Sequence, residues 1–180
     1  MKYAVGIDIG GTNTRVALIN ENYEIKKRIQ FLTDVDDPDK TMDKIVETIS
    51  SFKLDIVGVG MSCPGPLDLI KGKILTTPNL HGKWHDCEIS KKLEEKIHIP
   101  VYLENDANLA ALAESIIGEG KAYDYVQYLT VSTGLGAGLV INKKIFIGAH
   151  GFANEVANCC MKHEGPSHGM IYPGGIEAIS

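Results

Sequence analysis

Carboxylates, glycines and small polar side chains cluster in short runs along this 180-residue chain, and these runs carry its chemistry. Asp8-Ile9-Gly10-Gly11-Thr12-Asn13-Thr14-Arg15 joins two alternating apolar segments. Glycines let backbone N–H groups approach an anion, Thr12 and Asn13 add polar donors, and an acid such as Asp8 at the end of a strand can hold a metal ion through water. The run is either a phosphate-binding turn or a plain tight hairpin. A hairpin uses the Gly-Gly pair but has no need of the neighbouring acid and threonine. Neither the P-loop nor the dinucleotide fingerprint is matched, because no Gly-Lys-Ser/Thr and no following helix appear. Ser132-Thr133-Gly134-Leu135-Gly136-Ala137-Gly138 offers the same chemistry again. Alone it says little; together the two loops read as a two-sided phosphate clamp.

Glu104-Asn105-Asp106-Ala107-Asn108 sits where an apolar strand gives way to an Ala/Leu-rich helix. Asn or Asp there is a usual helix cap. Three polar side chains exceed what a cap requires, and a carboxylate beside a Gly/Thr phosphate site is placed to act as a general base towards a hydroxyl. Gly151-Phe152-Ala153-Asn154-Glu155 carries a lone acid in a glycine-rich loop, which by itself reads as a solvated side chain. Six histidines and Cys159-Cys160 invite a metal reading, yet His163 and His168 lie five apart and no CxC, CxxC or HxxxH pair frames those two. A structural zinc site needs four well-placed ligands, so solvated loop histidines and a buried thiol pair are the better reading.

The elements that must position these residues follow from periodicity. Alternation predicts strands at 2–10, 13–20 and 24–31, with a Gly-Gly-Thr-Asn hairpin turn between the first two. Met42, Ile45, Val46, Ile49 and Phe52 keep a helical period over 39–52. A buried strand is expected at 55–62, a short hairpin at 70–75, a helix at 90–97, a strand at 101–104 and a helix at 107–117. Gly118 and Gly120 then open a hinge, and a second β pair runs from 126 through 140. The second β-hairpin and glycine turn echo the first, which suggests a duplicated α/β fold with a cleft between its halves.

Composition narrows the functional classes. Eighteen basic against 23 acidic residues give a net charge of −5, which argues against nucleic-acid binding by charge alone. No apolar run approaches the ~20 residues of a membrane span. Asp8 interrupts what a signal peptide would need as its apolar stretch, and the four cysteines show no framework spacing, so a cytoplasmic, thiol-reduced protein is expected.

In order along the chain, the Asp8 turn, Pro64-Gly65-Pro66, Thr77-Pro78-Asn79-Leu80, the Glu104 run, the Thr133 loop and Gly148-Ala149-His150-Gly151-Phe152-Ala153-Asn154-Glu155 resemble the ROK family of repressors and sugar kinases. The resemblance implies the actin-like, ribonuclease-H-like ATPase fold, here an N-terminal lobe over 1–118 and the start of a C-terminal lobe over 119–180. It implies an ATP- and Mg²⁺-dependent kinase that phosphorylates a hexose hydroxyl, glucokinase-like, with no nucleic-acid or membrane partner and with homodimers as an option. By that resemblance Asp106 is the catalytic base and Asp8 the magnesium-associated acid. Gly10, Gly11 and Thr12 form the first phosphate loop, and Thr133 and Gly134 the second. Gly65, Asn79, Asn105, Glu155 and Glu177 contact the sugar.

Two departures qualify it. The family commonly reads Gly-Glu-x-Gly-His where this chain has Asn154-Glu155-Val156-Ala157-Asn158, and its four zinc positions fall on Asn158, His168, Met170 and Gly175. No structural zinc is therefore expected. Family members are also considerably longer. That implies weak ATP binding by these 180 residues alone and an exposed edge and apolar face on the strands at 126–147. A sugar-binding or regulatory protein without catalysis is the competing reading.

Overall fold

The computed structural model describes residues 1–77, 79–131, 134–151, 153–160, 164–165, 167 and 175–176. The chain divides into two compact units, Met1–Asp106 and Ala107–Ser180. The helix that opens on Asp106 is thus grouped with the second unit, whereas the glycines at 118 and 120 suggested a boundary after it.

In the first unit, alternating apolar residues build β1 (Tyr3–Ile9), β2 (Asn13–Asn20) and β3 (Ile25–Leu32). Next come α1 (Pro38–Ser51), β4 (Ile56–Cys63), the two-residue strands β5 (Leu67–Asp68) and β6 (Lys73–Ile74), α2 (Ile89–Ile97) and β7 (Val101–Asn105). The main sheet has the order β3-β2-β1-β4-β7. Its first three strands are antiparallel neighbours, while β1, β4 and β7 run parallel. Asp37 caps α1 through its side chain, accepting from the Asp39 amide, and Pro38 at the first helical position suits the fixed φ of proline. The helical period then delivers Met42, Ile45 and Ile49 to a core with Val5, Ile7, Ile9, Val16, Met61 and Leu93. Trp84 is fully buried in that core, and its Nε1 donates to the Asp34 carbonyl at 2.8 Å.

The second unit contains most of α3 (Asp106–Ile116), then β8 (Tyr125–Val131), β9 (Leu135–Ile141) and β10 (Lys144–Ile145). These strands form an antiparallel meander of order β10-β9-β8. Gly138 is required: a Cβ there would lie 2.5 Å from the Ala107 carbonyl oxygen and 2.8 Å from Asn108 Cα, so β9 passes directly over the start of the helix. Asn142 and Lys143, both at positive φ, make the two-residue turn from β9 to β10. Lys143 Nζ donates to the carbonyls of Ser115 (2.8 Å), Lys121 (2.9 Å) and Tyr123 (2.9 Å), tying that turn to the end of α3. A cation among the last carbonyls of a helix also complements its dipole. No helix among the described residues is long and apolar enough to cross a membrane.

Candidate active site

Parallel β1, β4 and β7 end side by side, and a parallel sheet places ligand-binding groups beyond the carboxyl ends of its strands. Register decides which side chains meet there. Asp8 on β1 pairs with Ser62 on β4, and Ser62 pairs with Glu104 on β7; one step on, Cys63 pairs with Asn105. On its other side Asp8 faces Arg15 of β2. The contacts follow: Ser62 Oγ donates to Asp8 Oδ1 at 2.8 Å, and Arg15 Nη1 donates to Asp8 Oδ2 at 2.7 Å. The Arg15–Asp8 pair is about half exposed, 46% and 47% by side chain, so water screens it and its stabilisation is small. Its effect is to fix where the carboxylate points.

The glycine turn after β1 is pinned from behind. The Gly10 amide donates to the Asn13 carbonyl (2.9 Å), Thr33 Oγ1 donates to the Gly10 carbonyl (2.8 Å), and the Thr33 amide donates to the Thr12 carbonyl (3.0 Å). Thr33 Oγ1 also lies 2.8 Å from Thr14 Oγ1, and both threonines are buried. Gly11 is packed so closely that a Cβ would stand 2.5 Å from Asn79 Cβ, which brings the loop bearing Asn79 against the turn. Gly65 stands beside Asn105: a Cβ there would be 3.7 Å from its Nδ2.

Asp106 follows β7 as the first residue of α3, and it is exposed. The neighbouring Glu104 Oε1 accepts from the Asn105 amide at 2.8 Å. The last residue of β4 is the buried Cys63. Its pKa is pushed up to about 12, first by burial and then by the negative charge of Asp106 and Asp8. Both carboxylates therefore act on the thiol at the end of β4.

In the second unit Gly134 is an exposed bend before β9, and Thr133 lies outside the described residues. Glu155 is exposed as a residue, yet partial desolvation still pushes its carboxyl above the usual range. Asn154 beside it has φ of 67°, a backbone that glycine or asparagine adopts most readily. This agrees with the glycine of the family pattern at that place. Glu177 lies outside the described residues, as do His168 and Met170 of the zinc frame. Among the described residues no group of three or more His, Cys, Asp or Glu could hold a metal ion.

A sequence model of the ROK family matches residues 4–179. The chain belongs to the ROK family. It is 31% identical over 172 residues to a glucokinase of Halalkalibacterium halodurans, covering 91% of this chain and 52% of that protein. It is likewise 31% identical over 172 residues to the xylose repressor of Bacillus subtilis, covering 91% of this chain and 44% of the repressor. Among solved structures, the ROK hexokinase from Thermus thermophilus superposes with a TM-score of 0.90 at 31% identity, over 99% of this chain and 60% of that one. A ROK glucokinase from Streptomyces griseus in complex with glucose and AMPPNP gives 0.82 at 30% identity, over 97% and 56%. The fold is that of the actin-like ATPases. This ROK chain spans about half the length of the curated relatives it matches.

Sequence reasoning singled out Asp8, Asp106 and the glycines of the turn but not Ser62, Arg15 and Thr33, which contact Asp8 and the turn. Ser62 lies in an apolar run with no motif around it, and Thr33 follows an exposed strand. Only strand register exposes their role.

Proposed function

We propose that this ROK chain belongs to a cytoplasmic, ATP-dependent sugar kinase that phosphorylates a hexose hydroxyl, glucokinase-like in its substrate. The observation that supports this best is the register that sets Asp8 beside Ser62 and Ser62 beside Glu104 at the carboxyl ends of parallel strands, with Asp106 opening the helix that follows β7. In this reading Asp106 is the general base. It is exposed at the edge of the site and takes the proton of the attacking hydroxyl. Asn105, Gly65 and Asn79, with Glu155 and Glu177, orient the sugar. Backbone N–H groups of Gly10, Gly11 and Thr12, with Thr133 and Gly134, receive the phosphates.

The residues fit magnesium as well as phosphate. Asp8 offers hard oxygen ligands, half exposed, and each oxygen accepts a single hydrogen bond in the structure, so lone pairs remain for the water shell of Mg²⁺. Bound there with ATP, the ion would neutralise charge on the transferring phosphoryl. Ser62 and Arg15 keep the carboxylate aimed, and Thr33 keeps the glycine turn in shape.

Asp106→Asn is the direct test, in an active background with ADP release followed across a panel of hexoses. It should lower kcat by about 10²–10⁴-fold while sugar binding stays nearly intact. Near-full turnover by the variant would remove Asp106 from the role. A second reading, a sugar-responsive regulator without catalysis, is favoured by the xylose repressors among the relatives and by Asn158 in place of the family histidine. Sugar binding with no ADP release from any hexose would support it.

A further inference from the structure

A helix leaves its last carbonyls without amide partners. For the Ser115 carbonyl of α3 that partner would have been the Glu119 amide, which donates instead to Glu114 Oε2 at 3.1 Å. The chain then closes a short 3₁₀ turn, Glu119–Ala122. In it the Lys121 amide donates to the Gly118 carbonyl and the Tyr123 amide to the Gly120 carbonyl. This path brings four carbonyl oxygens around one point, and the ammonium of Lys143 occupies it. Nζ donates to the carbonyls of Ser115 at 2.8 Å, Lys121 at 2.9 Å, Tyr123 at 2.9 Å and Gly120 at 3.4 Å. Every hydrogen-bond partner of this ammonium among the described residues is a main-chain carbonyl.

The turn that carries Lys143 does not itself call for lysine. Asn142 and Lys143 have φ of 50° and 63°, and a two-residue turn of this hand favours Asn-Gly. Lysine at the glycine place is conformationally disfavoured. The carbonyls, in contrast, call for a positive charge, and the dipole of α3 adds to that demand at its C-terminal end. The Asn142 amide donates to the Asp124 carbonyl at 2.7 Å, which fixes the main chain of the turn beside them.

The donor set also selects the class of ion. Neutral carbonyl oxygens that replace a hydration shell are the ligands of potassium. Divalent ions draw on carboxylates, and the ammonium has no carboxylate partner among the described residues. Ser115 is fully buried while Lys121 and Tyr123 are exposed, so one side of the cage opens to water and gives a free ion a way in.

We propose that the carbonyls of Ser115, Gly120, Lys121 and Tyr123 form a monovalent-cation site. The Lys143 ammonium stands in it where a potassium or ammonium ion binds once that side chain is removed. The tethered charge frees the wild-type chain from dependence on such an ion and clamps the turn after β9 to the end of α3. The proposal is separate from the catalytic reading, since no residue of the Asp8–Asp106 site takes part.

Melting curves by circular dichroism test it, at equal concentrations of choline, sodium, potassium and ammonium chloride. Lys143→Gly restores the favoured Asn-Gly turn and empties the cage. In choline chloride it should melt about 2–4 °C below the wild type. Potassium or ammonium should recover most of that loss, and sodium less, while the wild type shows no such preference. Lys143→Asn also tolerates this backbone and is too short to reach the carbonyls. It should respond alike, and it carries the comparison if the glycine variant does not fold. A glycine variant as stable as the wild type in choline, or a recovery equal in all four salts, would overturn the proposal. So would a wild type that gains as much from potassium, or failure of both variants to fold in potassium.

Discussion

The two units treat burial differently. In Met1–Asp106 the sheet closes over a core of fully buried side chains that includes Trp84, Met42, Ile45, Met61 and Leu93, and its edges carry charge or caps. In Ala107–Ser180, β9 buries Ala137 and Val140, while β8 turns Tyr125, Leu129 and Val131 to solvent. The cysteines divide in the same way: Cys63 and Cys87 are buried, whereas Cys159 and Cys160, expected from the sequence as a buried pair, are exposed on the loop that carries them. A well-filled core lets the first unit hold a charged site at its strand ends.

The largest test of this contrast is a pair of truncations. Trp84→Ala should cost about 3–5 kcal/mol, because it empties a filled core and strands the Asp34 carbonyl. Leu129→Ala, read by urea denaturation, should stay within about 0.5 kcal/mol. Equal losses would erase the distinction.

Alkaline pH sharpens it next. The Cys63 thiol titrates near 12 in the fold against 9.0 for the ordinary group. The folded chain thus keeps a proton that the unfolded chain has lost, and stability falls as pH rises through that window, at roughly 1.4 kcal/mol per pH unit. Burial raises Cys87 in the same direction. Lys26, Lys73, Lys83 and Lys96 are raised above 10.5 by their acidic partners and act only at higher pH. Urea midpoints between pH 9 and 10.5 should therefore decline, and Cys63→Ala should flatten the slope. A flat wild-type profile would contradict the buried thiol.

Gly11→Ala tests the close approach at the turn. Its Cβ has nowhere to go against Asn79, so a loss of about 1–3 kcal/mol is expected in thermal denaturation. Among the changes at the strand ends the smaller effect is that of Ser62→Ala, which removes one donor from Asp8 and should cost about 1 kcal/mol. If instead it left the melting temperature unchanged, Asp8 would be held by Arg15 alone.

Much of this architecture could be read from residue order. The strand at 2–10, the helix of Met42, Ile45 and Ile49, and the Gly10-Gly11 turn all correspond to β1, α1 and the β1–β2 hairpin. Asp106 was visible at the junction of strand and helix. Ser62, Thr33 and the Arg15–Asp8 contact were not, because their partners are far off in sequence or defined only by register. The clamp expected with Thr133 and the sugar contact expected of Glu177 fall on residues outside those described.

The sequence by itself determined the elements and the chemical groups, since side-chain period, turn residues and caps act within a few residues of one another. The tertiary structure alone decided which groups meet. A parallel register places Asp8 beside Ser62 and Cys63 beside Asn105, and a shift of one residue would turn each of them to the opposite face. The same holds for β8. Its apolar alternation is plain in the sequence, but nothing local distinguishes an inner strand from an edge. That follows only from which strands lie beside it, a matter settled by packing among residues distant in the chain.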